Sequence, residues 1–422
     1  MVIYTVQTGD TLYSISQRFG VSPQRVITDN SLTEPKSLTP GQSLLLLTPA
    51  VSYTAVQGDT LSSIASRYGV TVPVLLQNNP NLTLNPTLHI GQQLTIHFTA
   101  GKLRRIVTNG FTFDTIDPDT LCRTLPYLTY LTIHGYGFTP EGRLIPPADQ
   151  PLLSLAQEYG TVPIMLLTDL TEDGRPDPRR SAQLFHDRAL QERVLLNALT
   201  TMEQKGYRGL NLSFERIPTG DSDSFLNFLG SAAEQLHNRG YLLHTDLAPR
   251  ASDTQQGLLY SPHDYASIGA LADSVHLLTD ESPSAPSALS PLNQSRRVAE
   301  YCTSNIAPDK ILLSIPGFGL DWPLPFERGA SQASPIGHEY AVDLARRHSS
   351  QILTDPSTQT PSFTYTRDGL QHTAWFEDVR SIENRFSLID ELNLSGCASW
   401  NIMRPFQQSW SYIAARYSIL KL

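Results

Sequence analysis

Strand-like alternation is clearest in the segment Gly209-Leu210-Asn211-Leu212-Ser213-Phe214-Glu215. Side chains of a β-strand point alternately to its two faces, so the leucines and the phenylalanine share one face while Asn211, Ser213 and Glu215 share the other. In a closed β/α barrel the apolar face packs against helices and the opposite face lines the lumen. We therefore expect the polar row inside a barrel, with Glu215 at its carboxyl-terminal mouth.

Comparable segments alternate with helical patterns over the remaining domain, residues 102–422. The expected strands span residues 105–108, 128–134, 162–168, 209–215, 241–247, 274–279, 310–315 and 396–402. Amphipathic patterns at 188–205 and 222–238 predict helices between them. Eight such units favour an α/β fold of the TIM (β/α)8 barrel type over an open doubly wound sheet. An insertion around 323–380 contains Asp368-Gly369, which predicts a β-hairpin.

Two copies of one unit precede the barrel, at residues 2–48 and 51–98. Residues 4–15 are matched by residues 53–64, and further along Gly41-Gln42 is matched by Gly91-Gln92. The pattern of each copy predicts a short strand, two helices and a closing strand. We expect Asp10 and Asp59 to cap the first helix of each copy.

Composition and charge exclude several classes of protein. Lys and Arg minus Asp and Glu gives 31 − 40 = −9, which argues against binding nucleic acid through bulk charge. Hydrophobic residues make up 40% of the chain, yet none of its apolar runs approaches the roughly 18 residues of a membrane span, so no membrane partner is expected. The three cysteines, Cys122, Cys302 and Cys397, have neither disulfide-framework nor zinc-site spacing and are expected to be buried thiols. The first residues lack the basic and apolar regions of a secretory signal, which predicts synthesis in the cytoplasm without export by that route.

The repeated unit resembles the LysM module, a small βααβ domain that binds N-acetylglucosamine polymers such as peptidoglycan and chitin. The resemblance rests on the Gly-Asp-Thr-Leu turn, the asparagine in the middle of each copy and the Gly-Gln pair before the last strand. It implies glycan binding by Gly9, Asp10, Thr11, Leu12 and Asn30 in the first copy and by Gly58, Asp59, Thr60, Leu61 and Asn79 in the second. The alternative is a stabilising duplication without a ligand.

The segment at 209–215 resembles the fourth strand of glycoside hydrolase family 18, whose DxxDxDxE motif ends in the catalytic acid. The rest of the chain is similar to the spore-germination branch of that family, the cortical fragment-lytic N-acetylglucosaminidases, which join two LysM modules to the barrel. The supporting stretches include Tyr136-Gly137-Phe138, Leu247-Ala248-Pro249-Arg250, Gly319-Leu320-Asp321-Trp322 and Ser399-Trp400. The resemblance implies a spore location and a peptidoglycan partner.

The resemblance also implies a mechanism, in which the substrate's own acetamido oxygen attacks the anomeric carbon. Glu215 would protonate the leaving oxygen, and the ring of Trp400 would pack under the sugar. Tyr136 is a candidate substrate contact, with core packing as the alternative. No cofactor is implied, and the sequence has no cluster of metal ligands at the usual spacing.

Two positions depart from the family pattern. Ser213 stands where the resemblance implies an aspartate that stabilises the oxazolinium ion, and Asp280 stands where it implies a tyrosine; Asn211 fits the spore-germination branch. One hypothesis is that the carboxylate has moved, to Asp246 on the neighbouring strand or to Asp280. The other is a catalytically impaired glycan-binding or spore-coat protein.

Overall fold

The two repeats fold as separate βααβ units in the computed structural model, which describes residues 1–214, 217, 220–252, 255, 264–279 and 285–422. The first contains β1 (Val2–Thr5), α1 (Leu12–Phe19), α2 (Pro23–Asn30) and β2 (Ser43–Leu46). The second contains β3 (Pro49–Thr54), α3 (Leu61–Tyr68), α4 (Val72–Asn78) and β4 (Gln93–Phe98). In each unit the two strands pair antiparallel.

The first helix of each repeat is capped by threonine, so the expectation that Asp10 and Asp59 cap it is wrong. Thr11 Oγ1 accepts a hydrogen bond from the Ser14 amide at 3.0 Å, and Thr60 does the same in the second repeat. Asp10 instead stabilises the turn before the helix. Its Oδ2 accepts hydrogen bonds from the Gln7 amide at 2.8 Å and from a tyrosine hydroxyl. The aspartate therefore fixes the turn and leaves the cap to the residue that follows it.

Eight parallel strands close into a barrel, which confirms the predicted fold class. They are β5 (Arg105–Thr112), β6 (Tyr130–Phe138), β8 (Val162–Leu167), β9 (Gly209–Leu212), β10 (Leu242–Leu247), β11 (Ser274–Leu277), β12 (Ile311–Pro316) and β18 (Gly396–Trp400), with β7 (Leu144–Ile145) and β19 (Ser418–Ile419) at the margins. Neighbours pair in chain order, and β5 closes the ring by pairing with both β6 and β18.

Helices surround the barrel and bury the outward faces of its strands. They are α5 (Pro118–Thr124), α6 (Gln150–Glu158), α7 (Pro178–His186), α8 (Arg188–Lys205), α9 (Ser222–His237), α10 (Tyr265–Leu271), α11 (Leu292–Thr303), α13 (Val379–Glu391) and α14 (Gln407–Arg416). The remaining helix, α12 (His338–Arg347), packs in the core of the insertion. Leu210 and Leu212 of β9 are fully buried in the resulting core. This orientation leaves the opposite face of β9 for the lumen.

The insertion before the last barrel strand is an antiparallel sheet of five strands. It contains β13 (Gly319–Leu324), β14 (Ser334–Ile336), β15 (Leu353–Thr354), β16 (Pro361–Arg367) and β17 (Leu370–Trp375). Asp368 and Gly369 lie between β16 and β17, both at positive φ, which suits a tight hairpin turn.

Both repeats pack directly against the barrel domain. Gln408 at the start of α14 donates from Nε2 to Asn30 Oδ1 at 2.7 Å, and Tyr127 donates its hydroxyl to the Gln77 carbonyl at 3.1 Å. The backbone of Gly41 lies so close to Ile352 that an added Cβ would stand 1.8 Å from its carbonyl oxygen. The two repeats are therefore in direct contact with the barrel domain and its insertion.

The cysteines are all free thiols. Cys302 and Cys397 are buried as expected, whereas Cys122 on α5 is partly exposed, so the expectation of a buried thiol is wrong there. In the part of the chain that the structure describes, no helix is both long and apolar enough to cross a bilayer.

Candidate active site

Polar side chains from adjacent strands meet inside the barrel. The parallel register places Asn211 of β9 beside His244 of β10, and Asp246 of β10 beside His276 of β11. All four side chains are at least nine-tenths buried. Thr245 and Val275, the residues next to them along the two strands, point to the opposite face of the sheet. The lumen of this barrel is therefore polar on one side, where apolar branched residues usually dominate.

Asp246 is the centre of this polar cluster. Asn211 Nδ2 lies 3.2 Å from each of its carboxylate oxygens, and His276 Nδ1 lies 2.8 Å from Oδ1. Asp246 retains 9% of its surface, whereas Asn211 and His276 have none. The carboxylate is thus held by two neighbours in an almost fully buried position.

A chain of hydrogen bonds indicates which nitrogen of His276 carries the ring proton. Thr132 donates its hydroxyl to Asn109 Oδ1 at 2.8 Å, which leaves the Asn109 amide nitrogen facing His276 Nε2 at 3.4 Å. Because Nε2 then accepts, the ring proton lies on Nδ1 and points to Asp246. In this tautomer His276 donates from Nδ1 to the carboxylate of Asp246.

Two further histidines line the lumen as neutral bases. Burial lowers the pKa of His244 well below its usual value, and the nearby His276 lowers it further. Burial also lowers the pKa of His134, although the charge of Asp246 opposes that shift. The Nδ1 atoms of both rings and Oδ1 of Asn211 are buried, and no described group bonds to them. Such orphaned atoms are costly unless a ligand or water meets them.

Trp400, at the end of β18, forms the aromatic wall of the same lumen. Its ring is half-buried and lies edge-on to Phe111, with the centroids 5.1 Å apart. The ring of Phe111 in turn contacts His276 at 4.9 Å. An unbroken set of contacts therefore links the tryptophan to the carboxylate of Asp246 through Phe111 and His276.

The structure describes only some of the other residues that were predicted to be catalytic. Glu215 and Asp280 lie outside the described residues. Ser213 is buried, and its amide donates to the Leu167 carbonyl at 3.1 Å, although β9 itself ends at Leu212 rather than at the expected 215. Asn211 and Asp246 are thus the predicted site residues that the structure brings into direct contact.

Tyr136 lies away from the lumen. It is fully buried in the core, and its hydroxyl bonds with Asp149, which also accepts from Tyr207 at 2.6 Å and from Lys205. The pairing of β6 with β8 shifts register between Ile133 and Tyr136, and this irregularity reverses the alternation that places His134 in the lumen. Core packing, the alternative left open by the sequence, describes Tyr136.

The central asparagine of each repeat ties a helix to a strand. Asn79 donates from Nδ2 to the carbonyls of Leu75 and Thr95, while its Oδ1 accepts from the Thr95 amide at 2.8 Å. Asn30 makes the same three bonds in the first repeat. Both side chains are buried, so these contacts account for the repetition of the residue without a ligand.

The turn residues are mostly accessible. Gly9, Thr11, Gly58 and Thr60 are exposed, whereas Asp10, Leu12, Asp59 and Leu61 are partly buried. Sequence reasoning missed His276 as a partner of Asp246 and Asn109 as a partner of His276. The alternation His244-Thr245-Asp246 was a usable signal for β10, and the polar Asn109 in an apolar strand was a weaker one.

Among the described residues, no group of three histidine, cysteine or acidic side chains is placed to hold a metal ion.

Comparison with known proteins agrees with this architecture. Residues 4–46 and 53–97 each match the LysM domain, and residues 180–404 match glycosyl hydrolases family 18. The chain is 31% identical to the cortical fragment-lytic enzyme of Bacillus anthracis over an alignment that covers 99% of both proteins. The crystal structure of the spore cortex-lytic enzyme SleL of Bacillus megaterium superimposes with a TM-score of 0.85 at 31% identity, covering 100% of this chain and 99% of that one. SleL of Bacillus cereus gives 0.84 at 31% identity, covering 100% and 98%. The chain therefore belongs to glycoside hydrolase family 18 and is a glycosidase with two LysM domains.

Proposed function

We propose that this protein hydrolyses N-acetylglucosaminyl bonds in the peptidoglycan of the bacterial spore cortex. The substrate follows from the relatives named for cortex lysis, which match the chain from end to end. The LysM domains would hold the glycan, and the barrel would cleave it. The observation that most supports hydrolysis here is the carboxylate of Asp246, held by Asn211 and His276 in a lumen with an aromatic wall.

In the proposed reaction the acetamido oxygen of the substrate attacks its own anomeric carbon. Glu215, the last polar residue of the sequence segment 209–215, gives its proton to the leaving oxygen. The bond to the leaving sugar breaks as the oxazolinium ring forms, and water then opens that ring with retention of configuration. The carboxylate of Glu215 accepts the proton of the attacking water.

The positive oxazolinium ion needs a negative partner, which Ser213 cannot supply. We assign that role to Asp246, whose orientation is fixed by Asn211 and His276. A preorganised group of this kind typically changes the rate by about 10²–10³. Asp246 belongs to the strand next to β9, so the charge approaches the sugar from a neighbouring position.

The function is tested by incubating the protein with soluble cortex fragments and measuring new reducing ends, beside Glu215→Gln. We expect the wild-type protein to release N-acetylglucosamine-ended products. The variant should react about 10²–10⁴-fold more slowly, as is typical when a general acid is removed. Fragments that bind to both proteins but are cut by neither would instead indicate the glycan-binding alternative. Equal rates in both would refute Glu215 as the acid.

A further inference from the structure

A cleft opens beside the barrel, between the loops that follow β11 and β12 and one face of the insertion sheet. Its volume is about 540 Å³, which falls within the usual range of small-molecule sites. Leu289 lines it from the loop after β11, and Phe318 lines it from the loop after β12. Because the parallel strands of a barrel end at one rim, these loops place the cleft at the rim where active sites of such barrels lie.

The floor of the cleft is apolar. In β13 the side chains of Leu320 and Trp322 line the cleft, whereas Asp321 between them bonds to groups on the opposite face of the sheet. The rings of Phe318 and Phe326, both partly exposed, add an accessible aromatic surface. Such rings suit the apolar face of a sugar.

Arg328 stands at the edge of the cleft on a short turn. The Ser331 amide donates to the Glu327 carbonyl at 2.8 Å, and Ser331 Oγ accepts from the Glu327 amide at 2.9 Å. These two bonds close the turn that carries Arg328, whose side chain is exposed. Among the described residues that line the cleft, Arg328 alone is charged, since Glu327 does not belong to the lining.

A second guanidinium group lies over the aromatic surface. Arg404, in the segment after β18, lies 5.8 Å from the ring centre of Phe318. Within the described part of the chain, neither Arg404 nor Arg328 forms an ion pair with a carboxylate, although the net charge of the chain is −9. Two arginines without counter-ions at one aromatic surface of an acidic protein favour an anionic ligand.

The cleft adjoins the aromatic wall of the lumen. Pro316 of β12 pairs with Trp400 of β18, and the Gly317 amide donates to the Trp400 carbonyl at 2.7 Å. Phe318 is the next residue and already lines the cleft. Two residues of extended chain span at most about 7 Å. A sugar packed on Trp400 would therefore have the cleft within reach of its neighbour in the glycan chain.

We propose that this cleft binds a carboxylate-bearing sugar next to the N-acetylglucosamine residue that the barrel cleaves. In peptidoglycan that neighbour is N-acetylmuramic acid, whose lactyl group ends in a carboxylate. The sugar ring packs on Phe318 and Phe326, Arg328 donates to the carboxylate, and Arg404 adds positive charge beside it. The identity of the sugar rests on the proposed function. What the cleft adds is a preference for acidic peptidoglycan chains over neutral chitin-like chains.

The test compares two ligands by calorimetry on the full chain, in the Glu215→Gln background so that neither is consumed. The ligands are the disaccharide N-acetylglucosaminyl-N-acetylmuramic acid and its methyl ester, which keeps both rings but has no charge. We expect the acid to bind about three- to tenfold more tightly than the ester at low ionic strength. This difference should shrink in about 1 M salt, because exposed ion pairs are screened.

Arg328→Gln removes the charge and keeps a hydrogen-bond donor. It should bring the affinity for the acid to within about twofold of that for the ester and leave the affinity for the ester unchanged. Arg239→Gln is the matched control, because Arg239 is exposed in the loop before β10, at the opposite end of the barrel, and this variant should keep the preference.

The proposal is overturned if the acid does not saturate the protein, if acid and ester bind equally, or if the preference survives in Arg328→Gln. A variant that weakens both ligands alike would overturn it as well, because Arg328 would then not act through its charge. The readout is a difference in binding, so a failure of cortex hydrolysis leaves this test intact. Hydrolysis by a protein without the preference would refute the cleft and not the proposed function.

Discussion

Asn211 and Asp246, on adjacent barrel strands, are joined by an amide nitrogen placed 3.2 Å from both carboxylate oxygens. The amide orients the carboxylate, and His276 holds it from the other side. Ser213, where the family has an aspartate, is therefore accompanied by a carboxylate one strand away. This arrangement makes specific predictions about what each residue contributes to catalysis.

Restoring the family residue should bring little benefit. In Ser213→Asp a second carboxylate would join Asp246 on the lumen side, and like charges at one site raise the pKa of one of them. We expect kcat on a chromogenic N-acetylglucosaminide to change by less than about tenfold. A gain of about 10²–10³ would mean that Asp246 does not supply the missing charge.

Acid should destabilise the folded protein through His338 at the start of α12. Burial lowers its pKa to about 4; the nearby Glu377 opposes that shift and Arg385 favours it. The unfolded state, with a histidine pKa near 6.5, binds more protons between pH 6.5 and pH 4, so stability falls as the pH falls through that window. The expected loss from this residue between pH 7 and pH 5 is about 2 kcal/mol.

Denaturant titrations at several pH values measure this effect. His338→Gln can still donate to the Pro316 carbonyl and accept from the Glu377 amide, the two bonds that the imidazole makes, but it does not titrate. Its unfolding free energy should therefore depend less on pH than that of the wild type. An identical pH dependence would show that His338 is not the titrating group.

Asn79→Ala should lower stability and leave glycan affinity unchanged. The substitution strands the buried Thr95 amide and two carbonyls, which costs about 1–3 kcal/mol. Asn81→Ala, at an exposed position of the same repeat, is the matched control and should stay within about 0.5 kcal/mol of the wild type. Denaturant midpoints and peptidoglycan sedimentation check the two effects. A loss of binding at unchanged stability would make Asn79 a ligand contact.

The barrel and the repeats could be predicted because alternation and internal repetition are local properties of the sequence. The inward polar face of β9 follows directly from the positions of its leucines. The contact between Asn109 and His276 could not be predicted in this way, since 167 residues separate them and only the closed ring brings them together.

Local patterns also failed where the backbone departs from regularity. The irregularity between Ile133 and Tyr136 in β6 turns the tyrosine side chain to the opposite face of the strand. Strict alternation along the sequence does not predict this change. The role of the asparagine in the middle of each repeat could not be predicted, for a different reason. Repetition marks a residue as required but does not tell a structural contact from a binding contact, and only burial and hydrogen bonding separate the two.

The measurement that tests the central claim most directly is kcat for Asp246→Asn and for the double variant Ser213→Asp/Asp246→Asn. Asp321→Asn is the control, because Asp321 is also buried but bonds to Tyr365 and His372 in the insertion. We predict that Asp246→Asn lowers kcat by about 10²–10³, that the double variant regains about tenfold or more, and that the control keeps its rate. An Asp246→Asn protein that remains folded and retains wild-type kcat would contradict the account.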